Sequence, residues 1–429
     1  MFRFFNKSKE NVANICYSDA DLLKQNKYYA ITLRIFAAMS YTILQVRKGK
    51  EQSIFRKHPW IFSGALFTDT KEIEDGEIVE VQDYKGRFLA LGHFQNATIA
   101  VRILSFEEEK IDKAFFQRKI RQALDSRIKI GLLSKENTIF RVCHGEGDGL
   151  PGLVIDFYNG VAVVQCHSIG MHCSLPEISS ALQKAFGKDL IAIYSKSADT
   201  LPKRLETADA YIFGTCETPH EALENGVKYK IDWVLGQKTG FFIDQRDNRL
   251  LLGNYSKGKK VLNTFCYSGG FSLQALLQGA KLVHSLDSSK KAIEMTEEHV
   301  SLNKFGKKHA SITADAMDYM KELKEDYDII VLDPPAFAKH REKRHQAIQG
   351  YKRLNAHAIR QIKPGGIIFT FSCSQVVDKQ LFTHTIIAAA IETGRTVRIL
   401  AQLHQGPDHP INAYHPEGEY LKGLVIQVD

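Results

Sequence analysis

Tyr327-Asp328-Ile329-Ile330-Val331-Leu332-Asp333-Pro334-Pro335 decides how this chain folds. Its apolar run reads as a buried strand of a parallel sheet, stopped by a rigid Asp-Pro-Pro turn. A second run, Gly366-Ile367-Ile368-Phe369-Thr370, reads the same way and leads into Phe371-Ser372-Cys373-Ser374. In an open α/β sheet, ligands bind outside the carboxyl ends of the strands. The Asp333 turn and the thiol of Cys373 are therefore expected at one rim. A thiol beside a carboxylate in such a place suggests a nucleophile that attacks an electron-poor ring.

The matching half of the rim lies upstream. Lys260-Val261-Leu262-Asn263-Thr264-Phe265 reads as a strand, followed by the turn Cys266-Tyr267-Ser268-Gly269-Gly270-Phe271 and a helical run to Ala280. Glycines at a strand-to-helix turn let the backbone approach a ligand, although a Gly-Gly pair alone equally suits ordinary helix packing. The strand Leu282-Val283-His284-Ser285-Leu286 ends in Asp287. That acid lies about two dozen residues past Asn263, the spacing at which a carboxylate meets a ribose hydroxyl pair. A third segment, Ala310 to Ala314, ends in Asp315, suited to an adenine amino group. The expected ligand is an adenosine without a pyrophosphate. Neither Gly-x-Gly-x-x-Gly nor a Walker lysine is present, which disfavours NAD and ATP.

These residues carry a resemblance. Asn263 to Phe271, the acids Asp287 and Asp315, Asp333-Pro334-Pro335-Ala336-Phe337-Ala338-Lys339 and Phe371-Ser372-Cys373-Ser374 resemble the S-adenosylmethionine-dependent RNA 5-methylcytosine methyltransferases. Within them the chain is most similar to the branch acting on large-subunit ribosomal RNA. The likeness extends to Gly236-Gln237-Lys238-Thr239-Gly240-Phe241-Phe242-Ile243-Asp244-Gln245-Arg246 and Glu146-Gly147-Asp148-Gly149-Leu150-Pro151-Gly152. It also takes in the tail Pro407-Asp408-His409-Pro410 with Glu417-Gly418-Glu419-Tyr420-Leu421-Lys422-Gly423. It spans most of the chain from about Ser40 onward. Ala336 departs from the pattern, since some members carry a lysine there.

The resemblance implies an α/β class I (Rossmann-like) methyltransferase with an N-terminal PUA-like β-barrel and a central α/β domain. It assigns S-adenosylmethionine to Phe241, Asp244, Asn263, Phe265, Tyr267, Ser268, Gly269, Asp287, Asp315, Asp333 and Pro334. Catalysis falls to Cys373 as nucleophile and to Asp333, which would bond the polar edge of a flipped base and assist proton transfer. Cys266, nearer the cofactor turn, reads as packing. For Phe337, stacking on the base and a core contact stand equal. The cations Lys339, Arg341, Lys343 and Arg344 follow directly and would hold phosphates beside an active site.

Composition sets the outer limits. The 429 residues suffice for two or three domains with sizeable cores. Apolar content of 44% and charged content of 25% are those of an ordinary globular protein. The formal charge of +8 leans only mildly toward nucleic acid. The seven cysteines (Cys16, Cys143, Cys166, Cys173, Cys216, Cys266, Cys373) show no Cys-x-x-Cys spacing, so no metal is expected and free thiols suit a reducing cytoplasm. No stretch is apolar for long enough to span a bilayer, and no partner membrane is expected. A homodimer is left open.

Residues 1–39 are expected to be an upstream extension, disordered or from a misassigned start. Residues 40–113 alternate apolar and polar positions between glycine turns, as a small β-barrel would. There Phe55-Arg56-Lys57-His58-Pro59-Trp60-Ile61-Phe62 resembles the opening of a PUA domain, an RNA-binding barrel. Arg56, Lys57 and His58 supply cations and Trp60 a stacking face for RNA, with a core role for Trp60 the even alternative. Residues 114–232 read as a central α/β unit without obvious chemistry. It opens on a basic amphipathic helix, Ile111 to Ile130, whose charges read as a solvated face. Residues 233–429 read as the doubly wound catalytic domain. The alternatives are 5-methyluridine formation, whose enzymes follow the cysteine with Asn-Pro or Asp-Pro rather than Ser374-Gln375, and a non-catalytic RNA-binding assembly factor.

Overall fold

The computed structural model describes residues 41–68, 70–338 and 340–429. The expected extension over 1–39 and the candidate phosphate ligand Lys339 lie outside the described residues. Leu44–Asp429 forms one compact unit. It is built on three larger sheets and a hairpin, His220–Glu224 with Val227–Ile231.

The first sheet runs in the order Thr42–Gln45, Ile78–Gln82, Phe88–Phe94, Ile99–Ser105, Trp60–Phe62. Its alternation sends Val79 and Val81 inward with Leu44, Phe94, Val101 and Ile103. The two edges then meet. Val46 bridges Leu66, Arg47 N–H donates to Ala65 O at 2.9 Å, and Phe67 N–H donates to Gln45 O at 2.8 Å. Closure leaves few free edge groups, as expected of a barrel.

The second sheet runs Ala210–Phe213, Ala192–Ser195, Val161–Cys166, Leu153–Tyr158, Ile139–His144. Helices Lys113–Lys129 and Leu175–Phe186 pack on each other beside it. The Asp112 carboxylate caps the first of these by accepting from the Ala114 and Phe115 amides. One cation of its basic run is not solvated, contrary to the sequence reading. Arg127 is 1% exposed and donates to both Asp148 oxygens at 2.5 and 2.7 Å. It also reaches the carbonyls of Arg141 and Asp408.

The third sheet carries the site. Its order is His309–Thr313, Leu282–Asp287, Lys260–Thr264, Ile329–Leu332, Gly366–Ser372, Lys422–Val428, Val397–His404. The first five strands are parallel and the last two antiparallel to their neighbours. Both faces are covered: Ile329 and Val331 enter one core, Ile330 and Leu332 the other. This explains the uninterrupted apolar runs. The register pairs Thr264 with Leu286 and Leu332, and Leu332 with Thr370. Phe265, Asp287, Asp333 and Cys373 therefore leave the sheet at one rim. The antiparallel strand sets Lys422 opposite Ser372, beside Cys373.

Buried ion pairs join the sheets. Arg246, 1% exposed, forks onto Asp408, 0% exposed, at 2.7 and 3.0 Å. Asp408 also accepts the Arg141 amide at 3.0 Å. Gly147 approaches Pro410 so closely that a Cβ there would strike its carbonyl oxygen. Two motifs without chemistry of their own, Glu146–Gly152 and Pro407–Pro410, thus serve to lock the central sheet to the third.

Candidate active site

The turn after Lys260–Thr264 is strained. Phe265, Tyr267 and Gly269 take φ of 56°, 48° and 77°, and non-glycine residues hold such values only where surroundings enforce them. The enforcement is visible. Tyr267 N–H donates to Asp287 Oδ2 at 3.1 Å, and Thr296 Oγ1 donates to Tyr267 O at 2.9 Å. His299 Nδ1 lies 2.9 Å from Ser268 O. A Cβ on Gly269 would meet Thr296 Cγ2 at 2.8 Å, so space and φ both demand glycine. The helix Gly270–Leu277 starts at this turn.

Asp287 closes its strand half-buried, with Oδ1 also accepting Ser289 N–H at 2.9 Å. Asn263, 1% exposed, donates through Nδ2 to Ser272 Oγ, while its Oδ1 is buried without a partner. Asp244 is alike: Tyr420 OH donates to Oδ2 at 2.7 Å and Oδ1 has no partner. Burial raises the Asp244 carboxyl, but Lys238, His409 and the Tyr420 hydroxyl outweigh it and hold the group below its ordinary value. Two buried acceptors without protein donors, one of them an anion, fit a cationic amino acid moiety beside an adenosine.

Asp333 leaves Ile329–Leu332 half-buried, and Gln245 Nε2 donates to its Oδ1 at 3.1 Å. Burial and the charge of Asp244 push its carboxyl up to about 7, against the pull of Arg249, Gln245 and Lys238. Pro334 is buried behind it. Cys373, half-buried, feels Asp333 and Lys238. Burial and Asp333 push its thiol up, and Lys238 opposes them. Lys422, 4% exposed, donates to Ser374 O at 2.6 Å. Burial lowers its ammonium to about 8, while Cys373 works to raise it. The rim thus joins a thiol, a carboxyl poised near neutrality and two lysines, the elements of nucleophilic and acid–base chemistry. Cys266 is different: 6% exposed, 3.6 Å from Thr296 Oγ1, and pushed by burial up to about 12. It packs, as expected.

Not every candidate points into the rim. Phe241 is 3% exposed, its ring 4.8 Å from Tyr229 and under the Arg249 guanidinium at 4.9 Å. The core occupies it, against the cofactor assignment. Asp315 is exposed and caps the short helix Ala316–Tyr319 by accepting Asp318 N–H at 3.0 Å, which leaves its other oxygen for a ligand. Phe337 sits 4.6 Å from the Tyr351 ring, a core contact. Arg341, Lys343 and Arg344 are exposed, with Arg344 3.5 Å from Asp378.

In the barrel, Arg56 and Lys57 are exposed. His58 and Trp60 are half-buried and engaged by other side chains, which for Trp60 favours the core alternative. The indole N–H donates to Glu146 Oε1 at 2.9 Å, and its ring lies 4.3 Å from that of His415. Lys238, Gln245, Tyr420 and Lys422 received no role from the sequence. All four lie within the stretches that carried the resemblance, which was the signal available.

Comparison with known proteins agrees with this geometry. A PUA-like domain model matches residues 44–106, and an S-adenosylmethionine-dependent methyltransferase model matches residues 141–413. Ribosomal RNA large subunit methyltransferase I of Citrobacter koseri is 37% identical over 398 residues, covering 90% of this chain and 99% of that protein. Its counterpart in Aeromonas hydrophila is 39% identical over 402 residues, covering 91% and 100%. A protein crystallised with S-adenosylhomocysteine superposes with a TM-score of 0.78 at 23% identity, over 90% of this chain and all of that one. A methyltransferase from Streptococcus mutans gives 0.76 at 22%, with the same coverage. These two likenesses speak for the fold.

Proposed function

The chain belongs to the S-adenosylmethionine-dependent methyltransferases, among the relatives of ribosomal RNA large subunit methyltransferase I, and from that premise we propose that it methylates carbon 5 of a cytosine in large-subunit ribosomal RNA through a covalent adduct on Cys373. One observation carries the reading. Cys373 and Asp333 end adjacent parallel strands, and each lies within the electrostatic reach of the other and of Lys238.

Carbon 5 of cytosine is too weak a nucleophile to be methylated directly. A Cys373 thiolate adding to carbon 6 turns the ring into an enamine, whose carbon 5 can then bond to an electrophile. Bound S-adenosylmethionine supplies a methyl group on a sulfonium. Afterwards a base removes the carbon-5 proton, the sulfur–carbon bond breaks and the thiolate returns. Lys238 and Lys422 oppose the burial that keeps Cys373 protonated, and so favour the attacking form. Below about pH 7 Asp333 carries a proton and can donate it to the base's polar edge.

Asn263, the Phe265–Gly269 turn, Asp287 and Asp244 would hold the cofactor, with Asp315 free to accept from the adenine. Arg56, Lys57, Arg341, Lys343 and Arg344 would meet phosphates, whereas His58 and Trp60 act through the protein's own contacts. In this reading residues 40–113 hold RNA, 114–232 brace the assembly and 233–429 perform the chemistry. Asp287→Ala is expected to weaken cofactor binding by about 1–3 kcal/mol in calorimetry, the loss of charge-assisted hydrogen bonds. Asp287→Asn, which keeps an acceptor for the Tyr267 amide, separates charge from turn geometry. Equal affinity in all three proteins would remove Asp287 from the site.

Mapping 5-methylcytosine across ribosomal RNA from cells with and without the gene tests the whole reading. One cytosine mark in the large subunit should vanish and return on complementation. Loss of a 5-methyluridine instead would move the chemistry to the other pyrimidine, and no loss would refute RNA methylation.

A further inference from the structure

Where the barrel, the central sheet and the C-terminal segment meet, three side chains converge that the methyl-transfer reading does not use. His58 Nε2 lies 3.8 Å from Glu417 Oε1, and His415 Nε2 lies 3.9 Å from Glu417 Oε2. One ligand atom from each of the three falls within 4.8 Å of the others. We propose that His58, His415 and Glu417 form a divalent-metal site of the zinc class, which clamps the barrel to the segment carrying Tyr420 and Lys422.

The second observation is at His415. The residue is 4% exposed, and neither of its ring nitrogens has a hydrogen-bond partner. A buried imidazole with both nitrogens unsatisfied is costly, and native interiors rarely tolerate one. The plain alternative is Glu417 paired with both imidazoles and no metal, at 3.8 and 3.9 Å. Those distances are too long for hydrogen bonds and leave both His415 nitrogens without one. A shared cation would engage one nitrogen of each imidazole.

Ligand chemistry agrees. Two imidazoles and one carboxylate with an open fourth position are a familiar zinc set, at about 2.0–2.2 Å per ligand. Ligands around such an ion stand about 3.3–3.5 Å apart, so from separations of up to 4.8 Å the set must contract by as much as about 1.5 Å. Glu417 is exposed and can move, and the two imidazoles must also draw together. His58 Nδ1 lies 3.3 Å from the Trp60 carbonyl and 3.2 Å from the Trp60 amide, so it can donate to the first or accept from the second. Metal at Nε2 requires the donating tautomer, the usual outer contact of a ligating histidine. The expectation of no metal was read from cysteine spacing, which carries no information about ligands so far apart in the chain.

The site would also explain why His58 and Trp60 face inward. Trp60 lies against His415 and donates to Glu146, walling the ligands on one side. Glu417 belongs to the turn Pro416–Gly418. Shortly after it come Tyr420 on Asp244 and Lys422 beside Cys373. Metal binding would therefore hold in place the segment that completes the rim.

The full chain, stripped with a chelator, is to be titrated with Zn2+ by calorimetry and with Co2+ by visible absorption. One equivalent should bind, with ligand-field bands of low-coordinate cobalt and no thiolate charge-transfer band. His415→Phe keeps an aromatic ring against Trp60 and should lower affinity at least tenfold, as should Glu417→Gln. His384→Ala, on an exposed helical position, should change nothing. Zn2+ should raise the melting temperature of the parent chain but not of His415→Phe. No stoichiometric binding, a thiolate band, or unchanged affinity in His415→Phe would overturn the proposal.

Discussion

Cys373→Ala protein is expected to bind S-adenosylmethionine almost as the parent does, yet to form no covalent complex with RNA carrying 5-fluorocytosine. In the parent, attack by Cys373 on carbon 6 and methylation of carbon 5 proceed normally. The final step then fails, because fluorine cannot leave as a proton. The enzyme should stay bonded to RNA through sulfur, visible as a band that survives denaturation. Turnover on ordinary RNA should fall by at least roughly 10³-fold in Cys373→Ala, since the group removed is the nucleophile itself. Cys266→Ala should cost far less, because that thiol is buried against Thr296. A trapped adduct mapping to Cys266, or residual methylation by Cys373→Ala, would assign the chemistry to another group.

Asp408→Ala is expected to lose about 3–5 kcal/mol in urea unfolding, the cost of stranding a buried charge. The carboxylate is fully buried and holds the Arg246 fork, the Arg141 amide and His409 Nδ1 at 3.0 Å. Its removal leaves Arg246, 1% exposed, with only the exposed Asp247 carboxylate at its Nε and both terminal nitrogens without a carboxylate partner. A loss under about 1 kcal/mol would mean that water reaches the site and that the network contributes little.

The same group has a pH signature. Burial alone would raise the Asp408 carboxyl, but His409 and Arg246 outweigh it and hold the group well below the usual range. A depressed native value means that the unfolded chain takes up the proton first. The stabilisation is therefore complete above the ordinary carboxylate value of about 4 and is lost as pH falls further. The share from Arg246, which keeps its charge throughout, should be flat between about pH 5 and 8. Asp408→Ala should show a shallower decline in acid than the parent.

The parallel sheet and the rim were legible because their determinants are local. An apolar run ending in Asp333-Pro334-Pro335 is a strand whose end cannot slip, and the same holds for Leu282–Asp287 and Gly366–Ser372. Once these strands lie parallel, their carboxyl ends share one edge, and Asp287, Asp333 and Cys373 follow without further information. The closed barrel was equally readable from alternation and glycine turns. Local reasoning erred where a side chain's surroundings come from elsewhere. Phe241 stands in a motif beside the site, but Tyr229 and Arg249 claim its ring. Arg127 looked like one more cation on a basic helix, and for Trp60 local reasoning left stacking and the core even.

What the sequence by itself determined is the set of strands, their direction and the chemistry at their ends, because period, turn residues and apolar runs act over a few neighbours. Tertiary structure alone decided which distant groups complete the site. Lys422 reaches Cys373 because an antiparallel strand returns beside Ser372. Arg246 meets Asp408 across 162 positions, and Arg127 reaches its carbonyl across 281. His58, His415 and Glu417 converge from opposite ends of the unit. No spacing in the chain encodes such meetings. They arise when buried charges and imidazoles, barred from water, must find partners wherever the packed sheets bring them.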